Sequence, residues 1–148
     1  LALGDRLDTV SVGASAIGAD SLWVLGGVDG FVSLVGSSAR PSYAAHDLRA
    51  LLEPPAWVER VDRTIWSCGD VWLSIGSGNL SAAMTGVTVD LGDVPVNLLA
   101  ALGLRLVLDL RDAQPSDDVA VRIAAELDRV LGHSTSVLVH TSEDTRSQ

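Results

Sequence analysis

The sequence predicts an α/β fold: a mixed sheet with flanking helices in a single domain. Three observations carry that expectation. The 148 residues suit one domain of common size. Short β-rich runs with turn chemistry alternate with helical periodicity through the second half. No repeat or linker-like stretch divides the chain. The domain is expected over 1–140, followed by a flexible tail over 141–148.

In the N-terminal third, Thr9 to Ala16, Ser21 to Leu25 and Phe31 to Val35 read as strands. Gly26, Gly27, Asp29 and Gly30 supply the turn before the third of these. A first helix is predicted from Tyr43 to Leu52. Ser42 would cap it, Leu48, Leu51 and Leu52 would line one face, and Pro54 and Pro55 would stop it. The stretch Trp57 to Arg63 reads as an amphipathic connection.

Thr64 to Ser67 and Val71 to Ile75 follow as strands around a bend of Cys68, Gly69 and Asp70, across which Trp66 and Trp72 are expected to pack. Leu80 to Thr85 reads as a helical turn or loop, Val87 to Leu91 as a strand, Val94 to Leu102 as a helix and Leu104 to Leu110 as a strand. The clearest element is a helix capped by Ser116, striped by Val119, Ile123, Leu127, Val130 and Leu131, and ended by Gly132. A last strand is expected from Ser136 to His140.

Composition narrows the function. All ten basic residues are arginine, so lysine is absent from every catalytic role. A net charge of −9 disfavours a duplex-binding surface, which needs clustered cations to displace counterions. No window approaches the roughly 18 apolar residues of a membrane span, so the protein is expected to act in the cytoplasm without a membrane partner. Cys68 is the only cysteine, which excludes an internal disulfide and suits a reducing compartment. A start at Leu1 rather than methionine leads us to expect an upstream piece.

No cofactor or metal is expected. A dinucleotide fingerprint would need a third glycine where Ser81 stands, and a phosphate loop of the Walker type would need a lysine. His46, His133 and His140 have no metal-ligand spacing with each other or with Cys68. Asp109, Asp112, Asp117 and Asp118 could suggest a divalent site, but helix-start chemistry already explains the last two. Trp23, Trp57, Trp66 and Trp72 read as core residues unless exposed together, when they would mark a partner surface.

One segment carries chemistry. Val71 to Gly86 runs an apolar strand into Gly76, Ser77, Gly78 and Asn79, where backbone amides, a hydroxyl and a carboxamide could meet an anion. From Val61 onward this stretch resembles the active-site segment of the phospholipase D-like superfamily, whose members carry a histidine, a lysine and an aspartate, then a strand ending Gly-Ser-x-Asn. Gly76, Ser77 and Asn79 match that ending. Counting back from Gly76 puts Asp62 in the slot of the nucleophilic histidine and Thr64 in that of the lysine, with Asp70 one position from the aspartate.

The resemblance therefore implies a degenerate, non-catalytic half-domain of bacterial type, because a carboxylate cannot easily attack a phosphodiester and threonine supplies no cation. It implies recognition of a phosphate-containing ligand by Arg63, Ser77, Gly78 and Asn79, with Asp62 and Asp70 at the same site. It also implies pairing with a second copy or domain, because active relatives build one site from two halves. Two rival expectations stand beside it. One is an acidic interaction module, of immunity-protein or secretion-chaperone type, that binds a basic partner. The other is a hydrolase using Asp62, Asp70 and His46.

Overall fold

The computed structural model describes residues 2–4, 6–7, 20–25, 30–53, 56–113 and 118–144, with the backbone alone for Ala2 and 133–144. The chain is α/β, as expected, but its parallel and antiparallel pairings fall in two separate sheets.

Strands β1 (Ala2–Gly4), β2 (Ser21–Val24) and β3 (Tyr43–Ala45) form the parallel sheet in that order, with Leu3 opposite Leu22 and Trp23 opposite Ala44. Parallel neighbours need crossovers, and the β2–β3 crossover carries helix α1 (Phe31–Val35). The expected strand at Phe31–Val35 is thus a helix. Its periodicity is too short to separate the two states, and the environment decides.

The deciding groups come from far along the chain. Phe31 and Val32 N–H donate to the two carboxylate oxygens of Asp128, at 2.6 and 3.1 Å. At the other end the buried Arg111 guanidinium donates from Nη1 to the carbonyls of Leu34, Ser37 and Ala39 at 3.1, 2.7 and 2.8 Å. One carboxylate satisfies the free amides and one guanidinium the free carbonyls. Gly30 leaves the room: a Cβ there would lie 2.7 Å from both Asp128 oxygens.

The segment read as one helix from Tyr43 to Leu52 divides in two. Tyr43–Ala45 pairs as β3, and only Leu48–Leu52 coils, as a 3-10 turn capped by Asp47 rather than Ser42. Ser42 instead exchanges hydrogen bonds with Ser21 at 3.0 Å, pinning β3 to β2.

The antiparallel sheet is a five-strand meander: β4 (Glu59–Asp62), β5 (Ile65–Cys68), β6 (Val71–Gly76), β7 (Asn79–Met84) and β8 (Val87–Val89). The 57–63 connection is in part β4, and Leu80–Thr85 is strand rather than helical turn. Two-residue turns join the strands, and both Ser77-Gly78 and Thr85-Gly86 have φ above zero at each position. That is the type I′ geometry whose twist matches the flanking strands. Trp66 and Trp72 do not pack on each other. Trp66 faces Leu73 inward and is fully buried, whereas Trp72 faces Ser67 on the outer side, because neighbours one register apart point to opposite faces.

Helix α2 (Val96–Ala113) absorbs both the expected 94–102 helix and the expected 104–110 strand. It packs on β3, α1, β5 and the last helix, so residues nearly all round it are buried. A helix buried on every side shows the apolar run that also marks a strand. Helix α3 (Asp118–Asp144) keeps the expected stripe of Ile123, Leu127 and Leu131 but runs past Gly132, so helix replaces the strand expected at 136–140 and the first residues of the expected tail. Residues 145–148, and the strand expected over 9–16, lie outside the described residues. No helix among the described residues is long and apolar enough to cross a membrane.

Removing either clamp on α1 tests this account. Asp128→Ala should cost about 1–2 kcal/mol, as loss of a cap does. Arg111→Ala should cost more, about 2–4 kcal/mol, because three carbonyls lose their donor in a buried site. Urea denaturation of the two variants would show that order; equal or negligible losses would refute the clamp.

Candidate functional site: the hairpin bend beneath Arg122

The Gly-Ser-Gly-Asn segment is the corner of the β6–β7 hairpin. Gly76 pairs with Asn79, and Ser77 and Gly78 turn at φ 54° and 78°. Asn79 is exposed as the first residue of β7, and among the described residues neither its amide nor the Ser77 hydroxyl makes a side-chain hydrogen bond. Both are neutral donors open to solvent.

The β4–β5 turn sits at the same end of the sheet, since Ile75 N–H donates to the Thr64 carbonyl at 2.9 Å. This brings Asp62, Arg63 and Thr64 to the same edge as Ser77, Gly78 and Asn79. Asp62 is occupied there: its Oδ1 accepts from Thr64 N–H at 2.8 Å and from Thr64 Oγ1 at 3.2 Å, a local turn-forming pattern. The Arg63 carbonyl accepts from Arg60 Nη2 at 3.0 Å, while the Arg63 side chain makes no ion pair among the described residues. Asp70 does not join them. It lies in the β5–β6 turn, where its carbonyl accepts from Thr85 N–H at 3.0 Å. The length of β6, about 17 Å at strand rise, separates it from the bend.

The decisive group was not legible in the sequence. Arg122, on the first turns of α3, lies directly over the bend: a Cβ on Gly78 would stand 2.9 Å from Nη2 and 3.3 Å from Nη1. A side chain there would push the guanidinium aside, and the φ of 78° itself favours glycine. Arg122 is exposed and has no carboxylate within ion-pair distance among the described residues. Four other arginines are engaged with carboxylates: Arg40 with Asp112, Arg49 with Asp47, Arg105 with Asp109, and Arg129 with Glu126. The nearest hint in the sequence was that Arg122 falls outside the apolar stripe of its helix. A groove of about 550 Å3 lies between β7–β8 and α3, lined in part by Ser81, Thr88, Asp90, Glu126 and Arg129, and the bend and Arg122 are not among its lining.

The third catalytic suspect, His46, is on the other sheet. It follows β3, and Asn97 Oδ1 accepts from the backbone N–H of His46 at 2.7 Å and of Asp47 at 3.2 Å. His46 Nδ1 is 3.3 Å from Asp47 Oδ2, while Nε2 is buried without a hydrogen-bond partner among the described residues. The Arg49 side chain and, against it, partial burial act on Asp47, and the arginine wins, holding its carboxyl well below the usual range. Asp62, Asp70 and His46 thus occupy three separate places and form no joint site. Asp109 accepts from Trp66 Nε1 at 2.8 Å and from Arg105, and Asp112 pairs with Arg40. Among the described residues no group of carboxylates, histidines and cysteine is placed to hold a metal.

No family model and no solved structure matches the chain. The phospholipase D-like resemblance therefore rests on the Gly76–Asn79 stretch alone. Among curated proteins the chain is similar to D-glycerol 3-phosphate phosphatase of Mycobacterium tuberculosis (strain ATCC 25618 / H37Rv), at 34% identity over 93 residues. The similarity covers 62% of this chain and 25% of that phosphatase, so the matched part is about a quarter of the relative's length.

Two outcomes follow. Asparagine tolerates the left-handed backbone better than serine, so Ser77→Asn should stabilise the protein by roughly 0.5 kcal/mol, whereas Gly78→Ala should destabilise it by about 1–2 kcal/mol; thermal denaturation would show a rise and a fall in Tm. Asp47 has a depressed folded-state pKa, so its contribution is complete above the unfolded value of about 3.9 and fades as pH falls below it. Asp47→Asn should flatten that acid limb, and an unchanged slope would contradict the pairing.

Proposed function

We propose that this chain is a non-catalytic α/β module that recognises the phosphate group of a small phosphorylated ligand at the Ser77-Gly78 bend. It would serve beside a second domain or a second copy that completes the protein's activity. The carrying observation is the exposed, unpaired Arg122 guanidinium seated on Gly78.

Guanidinium is the cation suited to bidentate phosphate contact, and Ser77 and Asn79 add neutral donors beside it. The chain's net charge of −9 opposes anions in general. At physiological salt that field decays over about 8 Å, so a local arginine without a carboxylate outweighs distant negative charge. The similarity to a phosphatase named for D-glycerol 3-phosphate supports a phosphomonoester as the ligand class.

A second reading, phosphomonoester hydrolysis at the parallel sheet, is favoured by one observation. Open α/β sheets bind ligands beyond the carboxyl ends of their strands. Strand β1 ends at Gly4, and the sequence continues with Asp5 and, three residues on, Asp8, both outside the described residues.

Titration with inorganic phosphate and with D-glycerol 3-phosphate, followed by amide shifts, separates the readings. The recognition reading expects shifts centred on Ser77 to Asn79 and affinity reduced about tenfold or more in Arg122→Ala, in line with the strength of charge-assisted hydrogen bonds. Binding indifferent to Arg122 would sink it. Phosphate release from D-glycerol 3-phosphate with magnesium, abolished by Asp5→Asn, would establish hydrolysis instead.

A further inference from the structure

Away from the bend, the surface between the parallel sheet and α2 is unusually apolar. A cleft of about 600 Å3 is lined by Tyr43, Leu51, Trp57, Leu98 and Leu104, with Glu53 at its rim. Trp57 is 76% exposed and Leu52, five residues before it in the chain, is 88% exposed, with Leu48, Leu51 and Tyr43 also open to solvent. Trp57, the one tryptophan that neither packs in the core nor faces out from the sheet, is the most exposed of the four. Clusters of this kind mark surfaces that bind proteins.

Charge selects the occupant. The cations near the cleft are already neutralised. Arg105 holds Asp109 at 3.0 Å and also donates to the Val58 carbonyl at 3.4 Å. Arg49 holds Asp47 at 2.7 Å. Glu53, by contrast, makes no side-chain hydrogen bond or ion pair among the described residues. Arg49 also acts on Glu53 electrostatically, so around the cleft two cations, Arg49 and Arg105, face three carboxylates, Asp47, Glu53 and Asp109, and the balance is negative, within a chain of net charge −9. A second copy is the wrong partner: a two-fold contact sets the same patch against itself, bringing two Glu53 rims and two strongly acidic chains together.

We propose that this cleft docks a segment of another protein that carries a large apolar anchor flanked by lysine or arginine. The anchor lies between Trp57, Leu51 and Leu104, and the basic flank meets Glu53. This surface is independent of the phosphate reading, since it lies on the other sheet and shares no residue with the bend.

Selection of displayed random peptides on the whole immobilised chain tests it. Recovered peptides should combine Trp, Phe or Leu with neighbouring Lys or Arg. Their affinity should fall tenfold or more in Trp57→Ala, the effect of truncating a hot-spot aromatic. It should also weaken several-fold in Glu53→Arg and at high salt, and stay unchanged in Arg122→Ala. Trp57 is exposed, so its removal leaves the core intact; Leu51→Asp provides a second variant, and denaturation confirms folding of both. Recovery of acidic peptides, binding indifferent to Trp57, or no enrichment would overturn the proposal. Dimerisation seen by light scattering and lost in Trp57→Ala would overturn it too, naming a second copy as the occupant.

Discussion

A five-residue helix has too few internal hydrogen bonds to stand alone, yet this fold is organised around one. Helix α1 exists because Asp128 of α3 holds its first amides and Arg111 of α2 its last carbonyls. The two contacts fasten the crossover of the parallel sheet to both long helices. The sheets share no strand, so the helices must join them. Helix α2 packs on β3 and β5, and α3 on β7. Phe31 continues the connection inward, meeting Trp23 edge-on with ring centres 5.4 Å apart.

The same joinery sets the chemistry of the surface. Asp128 fixes the rotation of α3 about its axis. Asp128 and Arg122 lie six residues apart on that helix, about 120° round its axis, so the clamp on α1 helps place the guanidinium over Gly78 on a different face. A type I′ corner is an ordinary device for reversing a strand, and alone it carries no function. The feature that singles this one out is a cation delivered by a different element and left without a carboxylate among the described residues. Across the molecule, the apolar cleft shows the converse arrangement, with its arginines paired and carboxylates in excess.

Several sequence readings survived because they rest on local rules. The apolar stripe of α3 repeats at helical spacing, and it is the face buried in the structure. The alternation of Val71, Trp72 and Leu73 gives β6 its two faces. The glycine-containing pairs mark the turns. Readings failed where surroundings overrode the local signal. Phe31–Val35 is β-branched and apolar yet helical, because two distant charged groups satisfy its ends. Leu104–Leu110 is apolar except at Arg105 and Asp109 because α2 is enclosed on most sides, not because it is extended. Leu80–Thr85 lacks strong β-formers at Ala82 and Ala83, and its pairing with β6 and β8 makes it a strand.

Of the site residues, the sequence by itself marked the bend: Gly76, Ser77 and Gly78 after an apolar strand call for a turn, because glycine takes the positive φ a tight corner needs, whereas pairing with β6 and β8 decided that a second strand follows it. It also determined the α/β class, through alternating periodicities, and the absence of lysine chemistry. Only the tertiary structure decided what stands over the bend and what does not. Arg122 reaches Gly78, and Asp70 lies a strand-length away, because hairpin pairing and helix docking connect residues far apart in the chain. Local propensity is a property of neighbours along the backbone; a binding site is a property of neighbours in space.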